Sequence, residues 1–225
     1  MAKTLYGISH GIKFNHLTLE TIAVLRKCDR VYSNALDEAT ASNISRLTAD
    51  LVLLPRANNA ACVKTILQGF RTHDTIGFLT YGNPAFISST IHALSVAAAK
   101  KNIRVKLLEA VSSIDSLLIH FNLTLESELR LLTVGNVADG AELTPETDTL
   151  FFCVGSLNAS GHKKKRTQFL SKIASAYPPE KRVFLAAFFV NSDGHSVING
   201  TIEELPTLMA KVSSQHTLFI PATKR

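Results

Sequence analysis

Short apolar runs alternate along the chain with longer stretches whose apolar residues recur every three or four positions, a pattern of strands interleaved with helices. Thr4 to Ile8, Val31 to Ser33, Leu51 to Leu54, Thr75 to Phe78 and Ile103 to Leu108 read as strands. A helix is expected from about Thr18 to near Asp29, with Thr18 as N-cap, Glu20 in the positive first turn and Leu17 stapled to Ile22. A polar helical stretch follows Ser33, Ala61 to Phe70 is helical by period, and an Ala-rich helix runs through Ala99. Ile114 to Phe121 reads as a helix that starts at a serine. Beyond Leu123 the pattern changes: Thr124 to Asp148 holds polar turns around Leu131 to Val134 and reads as a linker. Strands are then expected at Thr149 to Val154, Val183 to Phe189 and Thr217 to Ile220, with helices at about Thr167 to Ala176 and Glu203 to Val212. The alternation predicts an α/β protein of two domains with mixed sheets, residues 1–124 and 125–225.

The stretch Leu79-Thr80-Tyr81-Gly82-Asn83-Pro84-Ala85-Phe86 ends one predicted strand and leads into a helix. Such a turn lies at the carboxyl edge of a sheet, where open α/β sheets bind ligands. Gly82 permits close approach of the backbone to a ligand, and Pro84 holds its predecessor extended. An ordinary strand-to-helix turn has the same local form, so both readings stand at this level. Three further turns share the placement: Gly7 to Gly11, Ala110 to Ser113, and Val154-Gly155-Ser156 after Cys153. They offer backbone groups beside apolar side chains and few charges, which suits a flat, polar, near-neutral group such as adenine better than a triphosphate.

Composition narrows the classes. The 225 residues suffice for one large or two small domains, and no apolar run approaches the ~20 residues of a membrane helix. Met1 to Gly7 enters a strand-like segment directly, so no signal peptide is expected. Cys28, Cys62 and Cys153 are widely spaced in apolar surroundings and read as reduced core thiols of a cytoplasmic protein; they offer no metal spacing. The net charge of +6 is partly local to His162-Lys163-Lys164-Lys165-Arg166, which reads as a solvated loop or helix start rather than a nucleic-acid surface. A phosphate-binding Gly-Lys-Ser/Thr loop and a Gly-x-Ser-x-Gly elbow are both absent, and Gly7-Ile8-Ser9-His10-Gly11 lacks the glycines of a dinucleotide loop.

The order and spacing of these turns resemble the tetrapyrrole methylase superfamily, the class III S-adenosylmethionine-dependent methyltransferases. Leu5 to Ser33 is similar to the family's opening strand, turn and Leu-Thr-Leu helix, and Leu79 to Phe86 to its Gly-Asp-Pro loop. Leu107 to Leu118 is similar to its Pro-Gly-x-Ser turn and helix, and Asn199 to Leu205 to its Gly-Thr-Leu segment. Within the superfamily the chain most resembles the borosin-type peptide backbone N-methyltransferases. Those have Tyr-Gly-His-Pro at Tyr81-Gly82-Asn83-Pro84, Pro-Arg before a helix as at Pro55-Arg56, and a closing strand similar to His216-Thr217-Leu218-Phe219-Ile220-Pro221. The resemblance implies S-adenosylmethionine held in a cleft between two domains, a homodimer, and a peptide or small-molecule substrate. The implied cofactor contacts are Tyr81, Gly82, Asn83, Phe86, Ser112, Ser113, Cys153, Val154 and Thr217. His10 lies in the first turn, where the family often has proline, and the resemblance implies that it faces cofactor or substrate.

By the same resemblance Tyr81 and Arg56 are the catalytic pair: Tyr81 as base for the amide N–H, Arg56 lowering its pKa and stabilising the developing oxygen charge. The alternatives are a Tyr81 ring packed on adenosine and an Arg56 that caps a strand end. Several positions depart from the borosin pattern. Ala60 stands where those enzymes have a tyrosine after the arginine, Val52-Leu53-Leu54 where they have an earlier one, and Ala110 and Asn83 replace Gly and His or Asp. No fused substrate peptide is expected after Arg225. Methylation of a separately encoded peptide, methylation of a tetrapyrrole or another small molecule, and a non-catalytic adenosylmethionine-binding subunit are therefore all open.

Overall fold

The computed structural model describes residues 2–55, 59–124, 126, 128–188 and 195–223. They divide into two compact units, 2–115 and 116 onward, each carrying its own five-stranded sheet.

In the first unit β1 (Thr4–Ser9), α1 (Leu19–Lys27), β2 (Arg30–Ser33), α2 (Glu38–Ser45), β3 (Leu51–Leu53), α3 (Asn59–Gly69), β4 (Thr75–Thr80), α4 (Ser89–Ala99) and β5 (Arg104–Leu107) alternate strictly. The sheet order is β3-β2-β4-β1-β5 and every neighbouring pair is parallel, not mixed as the sequence suggested. A helix returns the chain between each pair of successive strands, so parallel pairing is the geometry left to it. Thr18 caps α1 as expected, its hydroxyl accepting from Thr21 N at 3.0 Å, a contact worth about 1 kcal/mol.

The helices fall on two faces. The steps β1 to β2 and β2 to β3 run one way across the sheet, and β3 to β4 and β4 to β5 run the other way. Right-handed crossovers then place α1 and α2 on one face and α3 and α4 on the opposite one. The buried clusters agree: Tyr6 and Ile8 pack with Leu25 and Ile44, while Leu5 and Phe78 pack with Ile66 and Leu94. β1 and β4 are neighbours whose next helices leave to opposite faces. That is a topological switch point, where the two exit loops part and open a crevice.

α5 (Ser113–His120) crosses the division between the units. The second unit holds β6 (Leu129–Thr133), α6 (Val134–Ala138), β7 (Asp148–Phe152), α7 (Lys163–Ala176), β8 (Arg182–Phe188), β9 (His195–Thr201), α8 (Leu205–Leu208) and β10 (Thr217–Ile220). Its sheet order is β6-β7-β10-β8-β9, with β6 and β7 parallel and the other pairs antiparallel. The stretch read as a linker thus carries an edge strand and a capped helix, and β9 is a strand where none was expected. Both are edge strands with half-polar sequences, which blurs the alternation that marks a strand. The predicted helix at Glu203 to Val212 shortens to α8 and one 3-10 turn, with Pro206 in its first turn. The strand expected to reach Phe189 is described as far as Phe188, and Phe189 lies outside the described residues.

α7 buries Phe169 and Ile173 against Phe151, Val183 and Leu218. On the other face Phe121, Phe184 and Phe219 meet with ring centroids 4.6 to 6.1 Å apart. His120 packs edge-on against Phe121, Phe188 and His195 there. The basic run forms the first turn of α7, with no side-chain cap and no acidic residue. Cations at a helix N-terminus oppose its dipole. Lys164→Glu should therefore raise stability by about 0.5 kcal/mol at low salt, seen as a higher urea midpoint that converges with wild type in 1 M NaCl. Among the described residues, no helix is long and apolar enough to cross a membrane.

Candidate functional site

At the switch point the ends of β1 and β4 are laced together. Ser9 Oγ donates to Thr80 O at 3.0 Å and accepts from Gly11 N at 2.8 Å. Gly82 N donates to Gly11 O at 3.0 Å, and both glycines have positive φ, +73° and +69°. Their left-handed backbone is what bends each chain away from its strand, and glycine adopts it without steric cost. Gly7 serves the same crevice from inside: a Cβ there would lie 2.5 Å from Leu107 and 3.1 Å from Ile91. Its bareness lets β5 and α4 close on the loop that carries Pro84.

This lacing brings His10, Tyr81 and Gly82 together. His10 is completely buried, and its ring stands edge-on to Tyr81 with centroids 6.1 Å apart. Neither ring nitrogen of His10 has a hydrogen-bond partner among the described residues. Burial pushes its pKa down to about 4, a shift opposed by Asp37 and reinforced by nearby His16. The imidazole is therefore neutral at pH 7, with one nitrogen able to donate and the other to accept. Burial also pushes the Tyr81 hydroxyl up to about 12, so it remains a phenol at neutral pH.

The His10 shift has a stability consequence. Between pH 6.5 and about 4 the unfolded chain binds this proton and the folded chain does not. Stability is then fully present above pH 6.5 and falls as the pH drops toward 4, by roughly 3 kcal/mol in total. His10→Asn should flatten that part of a plot of unfolding free energy against pH; an unchanged slope would assign the acid sensitivity to other groups.

The rest of the β4 loop is built from short polar turns. Asn83 Oδ1 accepts from Ala85 N and its carbonyl from Phe86 N, both at 2.9 Å. Phe86 is half-buried, and exposed Ile87 has φ of +54°, an unusual conformation for a β-branched residue. α4 then starts at its cap, Ser88. Across from Gly82, where a Cβ would stand 3.9 Å from Ser112 Cα, the turn before α5 is closed by Asp115. The Asp115 carboxylate accepts from Ser112 N at 2.7 Å and from Ser112 Oγ at 2.9 Å. Ser112 is buried and Ser113 opens the helix. Arg56 lies outside the described residues. Ala60 is exposed in the first turn of α3, beside Asn59, which bridges to α4 through Ser89 Oγ at 2.9 Å and Thr90 Oγ1 at 2.7 Å.

In the second unit Cys153, Val154 and Thr217 gather at one end of the sheet. Cys153 follows β7 in a left-handed conformation with φ of +64°, and its carbonyl accepts from Ser156 Oγ at 2.7 Å. Burial raises the thiol pKa, so it stays protonated. Val154 is fully buried, and Thr217 is 4% exposed at the start of β10. Gly155 permits no side chain, because a Cβ would lie 1.9 Å from Ser213 O and 2.7 Å from Ser214 N. The turn after β7 and the turn before β10 are thereby pressed backbone to backbone. Asn158 ties them further, its Nδ2 donating to Met209 O at 2.8 Å and Val212 O at 3.1 Å.

Sequence reading missed His216, the residue before Thr217. It is 6% exposed, and its Nδ1 accepts from Ser213 N at 3.0 Å. Its Nε2 has no partner among the described residues. The Ser-x-x-His spacing at 213–216 is the one sequence signal that would have marked it.

Buried neutral donors and acceptors without partners among the described residues, glycine-shaped strand ends and scarce charge suit a neutral heteroaromatic group better than a charged one. Comparison with known proteins agrees with the fold. The sequence profile of the family described as Tetrapyrrole (Corrin/Porphyrin) Methylases matches residues 4–206. No curated protein sequence matches the chain. The solved uroporphyrin-III-C-methyltransferase from Thermus thermophilus aligns at TM-score 0.71 and 19% identity, over 98% of this chain and 93% of that one. The cobalamin biosynthetic enzyme cobalt precorrin-4 methyltransferase, CbiF, aligns at TM-score 0.69 and 14% identity, over 97% and 94%. A conserved hypothetical protein from Aeropyrum pernix K1 aligns at TM-score 0.67 and 17% identity, over 100% and 86%. At these identities the likeness is one of fold. The profile runs through the first unit and most of the second, and with it the chain belongs to the tetrapyrrole (corrin/porphyrin) methylase family.

Proposed function

We propose that the chain is an S-adenosylmethionine-dependent methyltransferase acting on a backbone amide of a separate peptide, in the manner of the borosin-type enzymes it resembles. The observation that supports the donor most is the switch point between β1 and β4, with His10 neutral beside Tyr81 and without a hydrogen-bond partner among the described residues. When bound, the sulfonium supplies an electrophilic methyl group that a nucleophile takes in line, with loss of the leaving group's charge. Such a transfer asks little of the protein beyond alignment and exclusion of water, and alignment alone is worth about 7 kcal/mol or more. Of the residues that the resemblance implies for the donor, His10, Gly82 and the Ser112 turn belong to the first unit, and Cys153, Val154 and Thr217 to the second. Their turns are held by backbone contacts and by the short side chains of Ser9, Asp115 and Asn158, which favours a preorganised site.

The peptide substrate rests on the resemblance at Tyr81 to Pro84, Pro55-Arg56 and His216 to Pro221. A peptide amide is a poor nucleophile, since its lone pair is delocalised into the carbonyl. Tyr81 is proposed to take the amide proton, assisted by a cation that lowers its pKa, the role proposed for Arg56. The same resemblance supports a homodimer, expected at about twice the 24.5 kDa chain mass in sedimentation.

Calorimetry should give a binding isotherm for S-adenosylmethionine and a raised melting temperature. A flat trace would remove the donor. Co-expression with products of neighbouring genes, read by mass spectrometry, should show a peptide heavier by one methyl group or multiples of it. A methylated pyrrole pool instead would reassign the substrate, and donor binding with no methylated product would leave a non-catalytic subunit.

A further inference from the structure

We propose that His216 is a donor-binding residue of the second unit, its Nε2–H held as a fixed hydrogen-bond donor for an acceptor atom of the adenosine. The inference rests on the methyltransferase reading above and adds to it a residue and a chemical role.

The tautomer follows from the hydrogen bonds. Ser213 N can only donate, and it does so to Nδ1 at 3.0 Å. Nδ1 therefore carries a lone pair, and in the neutral ring the proton sits on Nε2. Ser213 Oγ also lies 3.0 Å from Nδ1 and accepts from Gln215 N at 3.3 Å, so the whole turn converges on that nitrogen. Nε2 is left buried with no partner among the described residues. Buried donors are seldom left so, and such a group calls for a partner from outside the chain.

The placement also points to a ligand. In the antiparallel register Leu218 faces Phe151, and continuing it brings His216 level with Cys153, where β7 ends in its left-handed turn. The Ser213 bond to Nδ1 orients the ring, and the turn that carries it is held in place. The Gly155 backbone abuts Ser213 on one side, and Asn158 holds the chain at Met209 and Val212 just upstream. A ring fixed in tautomer and position presents its donor at no conformational cost when ligand arrives. A neutral N–H of this kind suits a ring nitrogen or hydroxyl oxygen of adenosine.

The test uses the full chain and S-adenosylhomocysteine as probe. Calorimetry is run on wild type, His216→Asn and His216→Gln, since Gln places an N–H near the Nε2 position and Asn does not. Binding weakened about tenfold in His216→Asn and largely retained in His216→Gln is the expected result. In parallel, the histidine ¹⁵N spectrum of wild type should show an Nε2-protonated ring whose Nε2 signal moves on titration with the probe. That measurement needs no variant to fold. Equal affinity in His216→Asn, or an Nε2 signal that stays still while wild type binds, overturns the role of His216 and leaves the methyltransferase reading intact. Absence of binding by wild type overturns both.

Discussion

Tyr81→Phe should reduce methyl transfer by a factor of about 100 or more, while S-adenosylhomocysteine still binds within about threefold of wild type. The change removes one oxygen and keeps the ring, so packing beside His10 is retained. The pH profile then distinguishes two uses of the hydroxyl. Burial pushes it up to about 12, so at pH 7 only about one molecule in 10⁵ carries the phenolate. If the phenolate is the base, kcat/KM should climb close to tenfold per pH unit through the alkaline range, unless a nearby cation lowers the pKa and brings the plateau earlier. If the phenol instead donates to the substrate, the profile should be flat until it ionises. Unchanged turnover in Tyr81→Phe would remove Tyr81 from the chemistry and leave it a wall of the crevice.

The largest structural effect is expected from the smallest substitution. Gly155→Ala should destabilise the protein by roughly 2–4 kcal/mol, because the new methyl would sit 1.9 Å from Ser213 O and 2.3 Å from its carbonyl carbon. Those atoms are backbone, so no rotamer change relieves the overlap, and the turns after β7 and before β10 must separate. Thermal unfolding followed by circular dichroism reports the loss as a lower midpoint. Gly161→Ala is the control: nothing lies within 4 Å of a Cβ there, and the midpoint should stay within experimental error or rise slightly. A Gly155→Ala variant as stable as wild type would mean that the two turns are not held against each other. Because the displaced turn carries His216, the same substitution should weaken probe binding more than its effect on stability alone explains.

Much of the first unit was legible from periodicity. Its strands are short, nearly continuous apolar runs bounded by turn residues, and its helices carry caps at Thr18 and Ser88 that local chemistry explains. The second unit was read less well. Edge strands β6 and β9 are mostly half-buried and carry polar residues inside their runs, so their strand character comes from pairing with β7 and β8. A residue-by-residue pattern carries no information about a partner elsewhere in the chain.

The candidate site divides in the same way. Glycine and proline at Gly11, Gly82 and Pro84 announce strand-end turns because their backbone preferences are intrinsic, and the order of those turns carries the family resemblance. Apart from the Ser-x-x-His spacing at 213–216 nothing local marked His216, and nothing local showed that His10 would be completely buried. The amino-acid sequence alone determined the alternation of strands and helices, the positions of the turns and the family to which their order belongs, all properties of chain neighbours. Tertiary structure alone decided that β1 and β4 lie side by side with their helices on opposite faces, and that His10 and His216 are buried with ring nitrogens that have no partner among the described residues. Strand order and desolvation depend on segments distant in sequence, so only the folded chain could set them.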